Sequence, residues 1–248
     1  MRTLTIDFPD QQTLCVFPEE RSDLAQAVSE LQLETGCPVI VLIGGRIEEQ
    51  QAEASRQAIQ TISKVVEDMN AVIICGGTDM GVMAEIGQIR SREHYKFPLV
   101  GVAPEALVTW TDGPDSTNFL WWGTQRWQLE PHYTHFILVP GSEFGDESPW
   151  IVDTATIVSK GHGSVTILIN GDEVSRKDID LSLEHDRPVI VMSRTGRLAD
   201  KLARQPKRSN LISVAPANAD ERIIELIQTA LSIDKKSMQA KKHKNRYH

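Results

Sequence analysis

Seven short runs of continuous apolar residues punctuate the chain, at 39–43, 72–75, 99–102, 136–139, 165–169, 189–192 and 211–214. Runs of four or five, rich in valine and isoleucine, suit parallel strands buried on both faces. Between them the apolar period changes to that of a helix. Ile59, Ile62, Val66 and Met69 share a face within 48–69, and Val82, Ile86 and Ile89 share one within 81–92. Ile151, Ala155 and Val158 do the same within 148–160, and Ile223, Ile227 and Ala230 within 221–231. Strand alternating with helix over the whole length predicts an α/β fold with a doubly wound, mostly parallel sheet. The opening stretch differs: 4–8 and 14–17 pattern as a hairpin and 21–33 as a helix, together an accessory edge on the same sheet.

Composition narrows the class. Of 248 residues 40% are apolar and 24% charged, the balance of a globular domain, which excludes disorder, collagen or a disulfide scaffold for the chain as a whole. The longest apolar run, 38–45, is too short to cross a bilayer. The first twelve residues turn polar where a signal peptide would be apolar, so the expected location is cytoplasmic. Cys15, Cys37 and Cys75 show no CxxC spacing, and no metal site is expected. The net charge is −8, yet Lys235, Lys236, Lys241, Lys242, Lys244 and Arg246 against Asp234 give the tail +5, leaving −13 on the rest. A body that acidic repels polyanions, which speaks against nucleic acid as its partner. The expected organisation is one domain over 1–232 followed by a basic, disordered tail over 233–248. No repeat or long linker interrupts it. The stretch 110–129 fits no period and holds four of the five tryptophans, which leaves a secondary core and a partner-binding surface both open.

In open parallel sheets ligands sit beyond the carboxyl ends of the strands, and here those ends are glycine-rich. Gly44-Gly45-Arg46 follows the first buried strand, and Gly76-Gly77-Thr78-Asp79-Met80-Gly81 the second. Glycine admits a phosphate close to the backbone, where N–H groups and a helix start can hold it. Thr78 offers a hydroxyl and Arg46 a bidentate partner. Neither loop is a P-loop or a strict GxGxxG. Asn170-Gly171-Asp172-Glu173 follows a later strand. Ser193-Arg194-Thr195-Gly196-Arg197 follows the next and combines glycine, threonine and two arginines at a helix start.

Glu147, Asp172 and Glu173 are the candidates for general acid–base work, or equally for carboxylates that complement a helix dipole. His132 and His135 stand three apart in extended chain and so face opposite ways, a poor metal pair. No GxSxG elbow, HExxH or catalytic Cys–His signature is present.

Five segments in order resemble the LSDAT branch of the SLOG superfamily, best known as the cytoplasmic N-terminal domain of melastatin-type transient receptor potential channels. They are VIVLIGGR (39–46), AVIICGGTDMGVMAEIG (71–87), VGVAPEALV (100–108), LEPHYTHFILV (129–139) and PVIVMSRTGRLAD (188–200). The resemblance implies a Rossmann-like fold that senses a nucleotide such as ADP-ribose or cyclic ADP-ribose. Carried over by residue, its pocket involves Gly44, Gly45, Arg46, Gly76, Gly77, Thr78, Gly81, His135, Gly171, Thr195, Gly196 and Arg197. Arg194, an addition to the family pattern, favours an anionic ligand. Asp172 stands where the family has glycine, and a carboxylate there repels phosphate, or it holds ribose hydroxyls, or the loop does not touch the ligand. The superfamily's phosphoribohydrolases carry PGGxGTxxE, which this chain lacks.

The expectation is therefore a nucleotide sensor signalling to an effector on a separate chain, a membrane or other protein. Its ligand is expected to be a passing nucleotide and not a tightly bound cofactor. Self-association stays open, as does the alternative of an enzyme cleaving a nucleotide N-glycosidic bond.

Overall fold

The computed structural model describes residues 1–110, 113, 126–205 and 209–232. The basic tail and most of the tryptophan-rich stretch, including Trp121 and Trp122, lie outside the described residues. Trp110 is buried against Phe17, with ring centroids 6.3 Å apart, so this tryptophan belongs to the core.

The hairpin forms as strands β1 (Arg2–Asp7) and β2 (Gln12–Phe17), followed by helix α1 (Leu24–Glu30). Then come β3 (Val39–Gly44), α2 (Ala52–Asp68), β4 (Val72–Cys75), α3 (Gly81–Arg92) and β5 (Leu99–Pro104). Two-residue strands β6 (Val108–Thr109) and β7 (Trp127–Gln128) pair with each other. The chain continues through β8 (His135–Val139), α4 (Ser148–Ser159), β9 (Ser164–Ile169) and α5 (Glu173–Glu184). It finishes with β10 (Val189–Ser193), α6 (Arg197–Ala203), β11 (Ile212–Pro216) and α7 (Asp220–Leu231). The last strand begins and ends one or two residues later than its apolar run suggests.

Among the described residues nine strands form one sheet in the order β1-β2-β8-β5-β4-β3-β9-β10-β11. Only β1 and β2 pair antiparallel; β2 then joins β8 in parallel, so the hairpin is an edge of the main sheet. Helices cover both faces, which is why the inner strands are apolar on both sides. In β3, Ile40 and Leu42 pack with α2, α3 and α7, while Val39, Val41 and Ile43 pack with α1, α4, α5 and α6. Ile59, Ile62 and Val66 of α2 have no exposed surface, each burial contributing about 1.5–3 kcal/mol.

The order of the strands fixes where a crevice opens. From β3 the chain steps outward through β4, β5 and β8. Helix α4 then carries it back across β3 to β9, from which it continues to β10 and β11. The direction of winding reverses between β3 and β9, and the loops leaving those two strands diverge there.

Candidate functional site

A cavity of about 210 Å³ opens at that reversal. The loop after β3 contributes Gly44, Gly45 and Arg46, and the loop after β4 contributes Gly76, Thr78 and Met80. Met83 from α3, Phe144 and Glu147 before α4, and Ile151 within it close one side. Asp172, Val174, Ser175 and Asp178 at the start of α5, with Arg197, close the other.

Close backbone approach makes this junction. Gly81 has φ +56°, and a Cβ on it would stand 2.3 Å from the Gly45 carbonyl oxygen. Asn170 ties three loops together. Its Oδ1 accepts the Gly45 N–H at 2.8 Å, its Nδ2 donates to the Arg46 carbonyl at 3.0 Å, and its own carbonyl accepts the Ala199 N–H. Gly45 also accepts the Val82 N–H at 3.3 Å. The Gly45 N–H is thus committed inside the protein, which corrects the expectation that this loop turns its successive N–H groups toward a phosphate. What the loop does present is the exposed Arg46 side chain.

Two buried carboxyls face the cavity. Glu147 is 6% exposed and accepts the Gly145 N–H at 2.7 Å. Burial pushes its carboxyl up to about 7, with the charges of Asp178 and Asp146 adding to the rise. Asp178, equally buried, is pushed up to about 6 by burial against the opposing pull of the nearby Ser148 hydroxyl and Lys177. Neither Asp178 Oδ1 nor Ser148 Oγ makes a hydrogen bond of regular geometry. At the mouth, Arg197 is held by Glu48, through Nε at 2.9 Å and Nη2 at 2.8 Å. Such an exposed pair contributes at most about 1 kcal/mol, so the guanidinium is free to exchange partners.

Of the residues expected from sequence, the fold brings Gly44, Gly45, Arg46, Gly76, Thr78, Glu147, Asp172 and Arg197 to the cavity. Gly171 and Glu173 border a shallower neighbouring depression with Arg176 and Lys201. Glu173 is 88% exposed beside Arg176, a solvated first-turn carboxylate and not a buried acid. Gly77 lies outside the lining, backed against Gly101 of β5. Gly81 shapes the cavity without lining it. Thr195 is spent on structure: its hydroxyl accepts the Asn170 N–H at 2.8 Å and donates to the Met192 carbonyl at 2.6 Å. Gly196 turns against Gln51. Arg194 points elsewhere, with Nη1 donating to Asn218 Oδ1 at 3.2 Å. His135 is a clear correction. It opens β8, opposite Leu14 of β2 and Val100 of β5, and so lies at the end of the sheet away from the cavity. Burial, then the charge of Arg90, lowers it to about 4, and its Nδ1 meets the Thr134 hydroxyl.

Asp172 caps α5: its Oδ1 accepts the Val174 and Ser175 N–H groups at 3.0 and 3.3 Å. Asp172→Ala is therefore expected to cost about 1 kcal/mol in chemical denaturation. Unchanged stability would show the cap to be idle.

The family described as SLOG in TRPM, prokaryote, matches residues 37–236. The chain belongs to this family. No curated protein sequence matches the SLOG chain. Solved structures share its fold at low identity. TM1055, a structural-genomics target, is 17% identical with a TM-score of 0.53, covering 77% of this chain and 99% of that one. The molybdenum cofactor binding protein of Rippkaea orientalis is 17% identical with a TM-score of 0.52, over 78% and 96% of the two chains. The molybdenum cofactor carrier protein of Chlamydomonas reinhardtii is 16% identical with a TM-score of 0.53, over 79% and 99%. These two names correct the expectation of a passing nucleotide in place of a held cofactor, since proteins of this fold hold one. Among the described residues no helix is long and apolar enough to cross a membrane.

Proposed function

We propose that this SLOG chain binds a phosphorylated, ring-bearing small molecule in the cavity between β3 and β9 and reports it to an effector on another chain. ADP-ribose and cyclic ADP-ribose are the leading candidates from the nucleotide side. The molybdenum cofactor, a phosphorylated pterin, fits the same description. The carrying observation is the arrangement of the cavity: largely apolar walls with two buried carboxyls within, and Arg46 and Arg197 at the mouth. Arginine suits phosphate through two parallel N–H bonds, and an apolar slot suits a flat ring. A cavity of about 210 Å³ falls below the roughly 300–1,000 Å³ of sites that enclose a drug-sized ligand. It accommodates a ring system, with the phosphates left outside toward the arginines.

Titration calorimetry with ADP-ribose, cyclic ADP-ribose, NAD and AMP tests this reading. Arg46→Ala and Arg197→Ala are each expected to weaken the best binder about tenfold or more, the range of one charge-assisted hydrogen bond. Full affinity in both variants would place the phosphates elsewhere.

One observation favours a second reading, cleavage of an N-glycosidic bond. Glu147 is held near neutrality in the cavity, as a general acid requires. Chromatography of each mixture separates the two: a sensor returns its nucleotide intact, and a hydrolase returns a free base.

A further inference from the structure

The inner wall of the cavity carries buried polar groups that the protein satisfies only in part. Asp178 is 6% exposed and lines the cavity; the Ser148 hydroxyl lies close by, but Oδ1 has no hydrogen bond of regular geometry. Glu147, on the facing helix start, lines the same space and commits one oxygen, Oε2, to the Gly145 N–H. The Ser148 hydroxyl beside Asp178 likewise makes no hydrogen bond of regular geometry. A buried carboxyl oxygen without a donor is destabilising, and folded proteins seldom keep one without a use. Here two buried carboxyls face one cavity, and Asp178 Oδ1 is short of a well-placed donor.

The walls around them are apolar and broad: Leu42, Met80, Met83, Ile151 and Val174. That environment suits the faces of a ring and not a sugar, whose hydroxyls point in every direction. The arginines occupy the opposite, outer end. A molecule that matches both ends carries anionic charge outside and, inside, a flat edge bearing N–H donors.

Resting on the reading of this cavity as a ligand site, we propose that Asp178 and Glu147 form a subsite for the N–H-bearing edge of an aminopyrimidine-containing ring. Such an edge is common to adenine, guanine and pterin. Two N–H groups of a guanine or pterin edge reach two carboxylate oxygens. An adenine edge, one donor beside one acceptor, reaches a carboxyl pair that retains a proton. A ring without N–H groups leaves at least one of the two acids buried without its donor, so the subsite disfavours it. Sites built on buried hydrogen-bonding groups discriminate strongly against analogues that lack the matching group.

The test compares AMP, GMP, neopterin monophosphate, purine riboside 5′-monophosphate and ribose 5-phosphate by titration calorimetry. Purine riboside 5′-monophosphate keeps the ring and phosphate of AMP but has no N–H on its edge. The expected result is that at least one of AMP, GMP and neopterin monophosphate binds tenfold or more tightly than this control. In Asp178→Leu that ratio is expected to fall to about twofold or less, and in Glu147→Gln to fall in the same direction. Melting of each variant checks that it folds, and Asp178→Leu is expected to melt no lower than the parent because a buried acid short of well-placed donors has gone. Equal affinity for the control, or a ratio that survives both substitutions, overturns the subsite. Ribose 5-phosphate binding as tightly as the ring compounds overturns it too, while leaving the phosphate end intact. If no probe binds, the cavity reading falls along with the subsite. Preference for neopterin monophosphate over GMP assigns a pterin, and the reverse assigns a purine.

Discussion

Gly81→Ala is expected to lower the melting temperature by about 10 °C and to abolish ligand binding. Two costs combine at this position. The backbone is left-handed, with φ +56°, which penalises any residue with a Cβ by roughly 1–2 kcal/mol. The added methyl would also lie 2.3 Å from the Gly45 carbonyl oxygen and 2.9 Å from the Arg46 Cα. Those are backbone atoms of the loop that Asn170 clamps, so they cannot swing aside as a side chain would. Forced overpacking of this kind costs about 1–3 kcal/mol, and each kcal/mol is worth about 2–4 °C in a domain of this size. Gly161→Ala is the matching control. Its φ is +94° but nothing lies within 4 Å of the added methyl, so only the strain remains and the drop is smaller. If the two variants melt alike, the close contact of the β3 and β4 loops has no energetic weight.

Glu147→Gln is expected to leave stability nearly unchanged at pH 4.5 and to raise it by up to about 3 kcal/mol at pH 8. Burial raises this carboxyl from its ordinary 4.5 to about 7. Between those values the folded protein keeps a proton that the unfolded chain has released. Stability therefore falls as pH rises through the window, and the penalty is complete above pH 7. Asp178 acts in the same direction between 3.8 and about 6. His135 acts against both: buried neutral, with its value lowered from 6.5 to about 4, it withdraws stability as pH falls through that range. The parent protein alone thus shows a partly cancelled trend. The difference between parent and variant, measured by denaturation from pH 4.5 to 8, isolates Glu147. A constant difference across that range would mean that the acid is not held protonated.

Much of this was legible in the sequence, for physical reasons. Strands buried on both faces leave unbroken apolar runs, and seven of them located β3 to β5 and β8 to β11. Glycines at strand ends marked the rim, because loops that approach within contact distance exclude a Cβ. The site was less legible where chain direction or spatial neighbours decide. His135 stands in a segment that resembles a family motif, yet it opens its strand, whereas the cavity lies beyond strand ends. That position was visible and outweighs the motif. Arg194 and Thr195 have the right chemistry for an anion but find partners in Asn218, Asn170 and Met192, contacts that only the folded chain supplies. Asp178 was missed because it sits inside a helix, away from any loop. A signal existed: the buried face of α5 runs Ser175, Asp178, Ile179, Ser182, and a carboxylate on a buried helical face needs a reason. Asn170 stands in a rim loop, where its type alone assigns it no role. Its buried amide, at 2% exposure, holds the rim together.

A ligand seated in the cavity between β3 and β9 shields the backbone around it. Amide hydrogen exchange, with and without saturating amounts of the tightest-binding phosphorylated compound, tests it most directly. Slowed exchange is expected in 44–46, 76–83, 144–151 and 172–178, with the rest of the described sheet unchanged. Binding accompanied by protection confined to other segments, such as the β1–β2 edge or 110–129, would contradict it.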